Sequence, residues 1–169
     1  RWNGSPAPIS SYILPGCGFG GYCLPKDTIA IVEKAKEKKC NAKILESVLS
    51  VNQDIKNHSI DNITSKCQKS SNIGILGLSF KPDSDDVRDT PALAVIQGLI
   101  TRGYKNIYAY DPIANKIFEN AYGHIININY CETVAATLDK CDIIVLVTKW
   151  SEFENIEIDN SKTFVSLRY

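Results

Sequence analysis

The sequence predicts an α/β protein, a doubly wound parallel sheet over residues 70–169, preceded over residues 1–69 by part of a helical domain. Three observations carry that prediction. From Ser71 onward, short apolar runs alternate with helix-length segments at the spacing of strand–helix units. One run, DIIVLVTKW, is apolar almost without a break, as in a strand covered on both faces. Before Ser71 the apolar residues recur at helical rather than strand period.

The elements follow in order. Residues 1–27 are rich in Pro, Gly and Ser and contain no helical pattern. TIAIVEKAKEKK, from Thr28 to Lys39, reads as a helix whose lysine-rich end suits the negative C-terminal dipole. A longer helix is expected from Ala42 to Lys69, where Ile44, Val48, Val51 and Ile55 form a stripe that Ile63 and Cys67 extend. Its length points to packing against more than one partner, a second subunit included. Asn52 and His58 lie on or near the stripe and read as packed, hydrogen-bonded polar residues. NIGILGLSF is a strand. TPALAVIQGLITRG is a helix with Thr90 as N-cap, Pro91 at its first position and Gly103 past its end. NIYAYDP is the next strand, followed by a helix from Ala114 to Ala121 and a short strand over Ile125–Ile128. CETVAATLDKC is a helix, and DIIVLVTKW and KTFVSLRY are the last two strands. In such sheets the ligand sits at the carboxyl ends of the strands, which here carry SFKPDSDDVR, YDP, TKW and SLRY.

Composition narrows the function classes. Nineteen basic residues balance nineteen acidic ones among 169, which gives no support to a basic footprint for nucleic acid and leaves room for a local anion site. No apolar run approaches the ~20 residues of a membrane span, and the N-terminus lacks the apolar core of a signal peptide. The six cysteines are scattered without a CxxC pair or neighbouring histidines, which argues against a metal site and a disulfide scaffold. They are expected to be reduced thiols of a cytoplasmic protein, most of them buried. No methionine occurs at position 1 or elsewhere, so the chain is expected to be a fragment.

Two constellations bear chemistry. In GCGFGGYCLPKD, Gly16, Gly18, Gly20 and Gly21 permit close backbone approach and an anion-binding nest ahead of a helix N-terminus. That terminus and Lys26 favour a reactive Cys23, and Asp27 is placed to cap the helix or hold a proton near the thiol. The same residues are also compatible with a glycine-rich turn beside an inert cysteine. The second constellation follows the first strand of the α/β half, where a GxGxxG dinucleotide fingerprint would stand. LSFKPDSDD stands there instead, setting Phe80, Lys81 and Arg88 among Asp83, Asp85, Asp86 and Asp89. Lysine and arginine at this position suit a phosphate, although solvated surface ion pairs would look alike.

The order of the segments separates these alternatives. PGCGFGGYCLPKD, ILGLSFKPDSDDVRDTPAL, YDP and VLVTKWSEF together closely resemble the UDP-glucose/GDP-mannose dehydrogenase family, in sequence from about Tyr12 to the C-terminus. The resemblance implies a Rossmann-like UDP-binding domain after the end of a central, dimer-forming helical domain. It further implies NAD-dependent oxidation of a UDP-sugar, most simply UDP-glucose, from the C6 alcohol to the carboxylate through a covalent thiol. GDP-mannose and a UDP-N-acetylhexosamine are the alternative substrates, and a non-catalytic nucleotide-sugar-binding module is the alternative class. On this resemblance Cys23 is the nucleophile and Asp27 assists water. Tyr12, Gly16, Phe19, Gly20, Gly21, Phe80, Lys81 and Arg168 bind substrate, and Arg88 reaches toward NAD. Three departures are visible: Ser166 where the family usually has aspartate, TKW for the commoner TEW, and Tyr22 for a frequent serine. The family's NAD domain and its upstream catalytic lysine and asparagine are not in this chain, so alone it is expected to be inactive, and a homodimer through the long helix is expected.

Overall fold

The computed structural model describes residues 16–168. Helices α1 (Cys23–Glu37) and α2 (Lys43–Thr64) lead into a sheet of five parallel strands. The strands are β1 (Ile73–Leu76), β2 (Ile107–Tyr110), β3 (Asn129–Tyr130), β4 (Ile143–Leu146) and β5 (Thr163–Ser166). Their order is β3-β2-β1-β4-β5, so β1 lies at the centre and the order reverses between β1 and β4. The connecting helices are α3 (Pro91–Thr101), α4 (Asn115–Tyr122) and α5 (Val134–Lys140). This is the predicted doubly wound parallel sheet.

Strand pleating divides the apolar residues between two layers. Ile73, Ile75, Ile107, Ala109, Ile143, Val145 and Val165 join α3, Phe118 of α4 and Ile60 and Ile63 of α2 in one core. Leu76, Tyr110, Ile144 and Leu146 join Cys141, Trp150 and Phe153 in the other, against which α5 packs through Val134, Ala136 and Leu138. All four residues of β1 and of β4 are buried, as the unbroken apolar runs require. α3 starts as predicted: Thr90 Oγ1 accepts from Ala92 N–H, Pro91 takes the first position, and Gly103 (φ 87°) follows the end. Gly98 of α3 lets α2 approach closely, since a Cβ there would overlap the Ile60 side chain.

Three boundaries differ from expectation. α1 begins at Cys23, five residues before Thr28, because Pro25 falls in the first turn, where a missing N–H costs nothing. Asp27 is therefore inside the helix and does not cap it; the N-cap is Tyr22, with no side-chain bond. α2 ends at Thr64, so Cys67 sits half-buried beyond it, its Sγ–H donating to Ile63 O. The third difference lies at the sheet edge: residues 125–128 turn under Ile126, whose N–H donates to Tyr122 O, and pairing with β2 begins only at Asn129.

The long helix departs most from its sequence pattern. Its buried residues are Asn52, Lys56, Ser59, Ile60 and Ile63, whereas Ile44 is 80% exposed and Val51 63%. Only the second half of α2 reaches the sheet domain, so the early stripe faces outward. His58 is exposed rather than packed. Of the cysteines, Cys17, Cys131 and Cys141 are buried, Cys67 is half-buried, and Cys23 and Cys40 are exposed. Burial pushes the Cys141 thiol up to about 12. Among the described residues no helix is long and apolar enough to cross a membrane.

Candidate functional site

The glycine segment is laid along the carboxyl end of the sheet with glycine at the positions where a side chain would collide. Gly18 (φ 97°) and Gly21 (φ 84°) are left-handed, a conformation other residues reach only under strain. At Gly20 a Cβ would overlap the Asp89 carbonyl oxygen, and at Gly21 it would lie 2.9 Å from the Phe80 ring. Gly21 N–H donates to Arg88 O at 3.0 Å. The loop that carries Cys23 is therefore seated directly on the loop that follows β1, and the two constellations form one site.

Within that site the chain ends its approach at Cys23, the first residue of α1, exposed to solvent. Asp27 lies one turn further on the same face and pairs with Lys26. The Lys26 ammonium also stands 5.1 Å from the Tyr22 ring centre, and the Arg88 guanidinium covers that ring at 4.4 Å. Arg88 is held by Asp86 in a two-point bond, Nε to Oδ1 at 2.9 Å and Nη2 to Oδ2 at 2.6 Å. This bond keeps the Asp86 carboxyl below the usual carboxylate range. Lys81 is exposed, with its ammonium 5.6 Å from the Phe80 ring centre.

Arg168 completes the rim from the end of β5. Its Nε donates to Val147 O at 2.7 Å, and its Nη1 would lie 2.9 Å from a Cβ at Gly16. Ser166, at the position of the expected aspartate, bonds the Arg168 backbone instead: its Oγ accepts from Arg168 N–H at 3.2 Å and donates to Arg168 O. Gly16, Phe19 and Arg168 border a groove of about 710 Å³ whose other wall is the exposed stripe Ile44, Val48, Val51 and Ile55. Lys149 of the TKW segment stands outside the site, 4.0 Å from Glu154. Tyr12 lies outside the described residues.

Two organising residues were given no role in the site by the sequence. Asp111, the aspartate of YDP, is 1% exposed and turned inward. Its Oδ2 accepts from Leu78 N–H (2.8 Å), Ser79 N–H (3.0 Å), Ser79 Oγ–H (3.2 Å) and Trp150 Nε1–H (3.1 Å). Its Oδ1 accepts from Ile113 N–H (3.1 Å) and Ala114 N–H (2.8 Å). In a dinucleotide fold an acidic residue near this place bonds the ribose. Here that carboxylate is spent on the protein's own backbone, and Thr148 Oγ1–H, donating to Ser79 O at 2.5 Å, closes the same turn. The centre of the sheet therefore does not fit a GxGxxG-type NAD cradle. The second organiser is Asn52 of α2, which grips the glycine loop. The sequence signal for Asp111 was its place in the strand-end segment YDP, and for Asn52 a polar residue within an apolar helix stripe.

The sequence and the fold have counterparts among known proteins. Residues 74–168 match the UDP binding domain of the UDP-glucose/GDP-mannose dehydrogenase family, and residues 3–54 match that family's central domain. The chain is 32% identical over 157 residues to a UDP-glucose 6-dehydrogenase of Rhizobium meliloti, covering 91% of this chain and 35% of that protein. It is 34% identical over 156 residues to one of Bacillus subtilis, covering 91% and 33%. A UDP-glucose dehydrogenase from the archaeon Pyrobaculum islandicum superposes with a TM-score of 0.86 at 31% identity, over 94% of this chain and 36% of that one. A GDP-mannose dehydrogenase from Pseudomonas aeruginosa superposes at 0.81 and 29%, over 92% and 37%. The chain spans about a third of the length of these relatives. With both domain matches falling in this order along one chain, it belongs to the UDP-glucose/GDP-mannose dehydrogenase family.

Proposed function

We propose that this chain supplies the reactive thiol and the nucleotide-binding half of a UDP-glucose 6-dehydrogenase. The observation that carries the reading is the seating of the Cys23 loop on the Phe80–Arg88 loop through Gly20 and Gly21. It sets a thiol able to reach a sugar beside cations able to hold its diphosphate. The names of the relatives at 32% and 34% identity favour UDP-glucose as the substrate.

In this reading Phe80 and Lys81 receive the nucleotide, and Gly16, Phe19, Gly20, Gly21 and Arg168 line the sugar–pyrophosphate path. Hydride removal at C6 is the chemistry that NAD supplies when bound, with Arg88 as a contact of this chain. Cys23 Sγ adds to the C6 carbonyl carbon while the oxygen takes up a proton, so the aldehyde stays attached. Once that carbon has reached the thioester level, water attacks it, the C–S bond breaks, and the carboxylate leaves with the thiolate restored. Asp27, one turn from Cys23, takes the water's proton. An exposed thiol at the end of this glycine-rich loop has no use in a plain binding module.

The test counts NADH formed per sugar by the full-length protein given NAD⁺ and UDP-glucose, GDP-mannose or a UDP-N-acetylhexosamine. Two per UDP-glucose is expected; two per GDP-mannose would move the assignment to that substrate, which the structural likeness at 29% identity keeps as the second reading. No NADH from any of the three would overturn the function. Lys81→Ala should weaken UDP binding by about tenfold in calorimetry, the scale of one charge-assisted hydrogen bond. An unchanged affinity would remove Lys81 from the nucleotide site.

The outward stripe of α2 supports a homodimer in which a second copy covers Ile44, Val48 and Val51. Val51→Asp should shift the protein from dimer to monomer in sedimentation velocity, and a monomeric parent protein would refute the arrangement.

A further inference from the structure

We infer that Asn52 is a positioning residue: from α2 it sets the conformation of the glycine loop that delivers Phe19 and Cys23. Its amide grips the Phe19 backbone on both sides of the Cα. Oδ1 accepts from Phe19 N–H at 2.8 Å, and Nδ2 donates to Phe19 O at 3.2 Å. An asparagine can do both because one planar group carries a donor and an acceptor, which match the C=O and N–H of a single residue. Asn52 is 8% exposed, so the loop's polar backbone finds its partner away from water, where leaving it unpaired is costly.

The loop is shaped to receive that side chain. A Cβ at Gly18 would lie 2.6 Å from Asn52 Oδ1 and 3.3 Å from Ile55 Cγ2, so the left-handed Gly18 is the complement of this turn of α2. On its other side the loop is fixed by the Gly21–Arg88 bond. Asn52 and Arg88 thus hold the loop from two elements, and Phe19 and Cys23 project from a segment pinned at both ends. The consequence for substrate rests on the nucleotide-sugar reading above; the clamp itself does not.

The experiment compares Asn52→Ala and Asn52→Asp in the full-length protein by hydrogen exchange and by steady-state kinetics. In Asn52→Ala, exchange across residues 17–22 should rise about tenfold or more, the scale of the lost bonds, while β1 and β4 keep their protection. Asn52→Asp keeps the acceptor but loses the donor, so its loop exchange should fall between the other two. KM for the nucleotide sugar should rise about tenfold in Asn52→Ala, with a smaller change in Asn52→Asp. Unchanged loop exchange in Asn52→Ala overturns the clamp. Equal loss of protection in the loop and the sheet, in both variants, would reduce Asn52 to a general stability role and overturn positioning. Faster loop exchange with unchanged KM overturns the substrate consequence. A parent protein that oxidises none of the sugars fails the proposed function instead, and exchange still decides the clamp.

Discussion

Cys23→Ala in the full-length protein is expected to lower production of the sugar carboxylate by at least about 10³-fold, the order seen when a covalent nucleophile is removed from a working site. The physical case rests on where the thiol stands. Cys23 opens α1 and is exposed, at the end of a loop docked onto the cation-bearing turn after β1. Alanine keeps the helix and removes the only atom able to form the C–S bond. Folding should be unaffected, since the side chain is not part of either core. Intact-mass spectrometry gives a second readout: trapped thioester adduct should appear on the parent protein and be absent from Cys23→Ala. Turnover equal to the parent would end the assignment of Cys23 as nucleophile and leave the chain a nucleotide-sugar-binding module.

The largest effect on stability is expected at Asp111. Asp111→Ala strips a buried carboxylate from five protein N–H groups and one hydroxyl drawn from the β1 turn, the start of α4 and Trp150. Several of these donors would then be buried without a partner, at about 1–3 kcal/mol each where water cannot enter. A loss of about 3–5 kcal/mol follows, read as a lower midpoint in urea unfolding of the full-length protein. Asp111→Asn should cost less, because Oδ1 of the amide can still serve the group of four donors, but its NH₂ would then face Ile113 and Ala114 N–H. Stability within about 0.5 kcal/mol of the parent in Asp111→Ala would show that water replaces the carboxylate.

Asp111 also marks the limit of what the sequence could convey. YDP was legible as the end of a strand at the switch point, but nothing in three letters tells whether the carboxylate faces a ligand or its own backbone. The direction is decided by donors from residues 78, 79 and 150, which are remote in sequence and meet only once β1 and β4 lie on either side of one another. Asn52 is a similar case. It reads as a packed, hydrogen-bonded polar residue, but its burial occurs although the apolar stripe beside it faces outward, and its grip on Phe19, thirty-three residues earlier, depends on the left-handed turn at Gly18. The N-terminal end of α1 was misplaced because Gly, Tyr and Pro near residues 20–25 read as loop, whereas Pro in a first turn is compatible with helix.

What the sequence determined by itself was the sheet and the chemistry-bearing segments, because period, caps and glycine positions are local properties: Thr90, Pro91 and Gly103 bound α3 as written, and the apolar runs became buried parallel strands. What only the tertiary structure decided was which of those segments touch. That Gly20 and Gly21 rest on Asp89 and Arg88, that Asn52 holds Phe19, and that the first half of α2 turns its apolar stripe outward all depend on contacts between residues tens of positions apart. Local preference has no term for such contacts; they are set by how the packed layers stop and by which backbone groups remain to be satisfied at their edges.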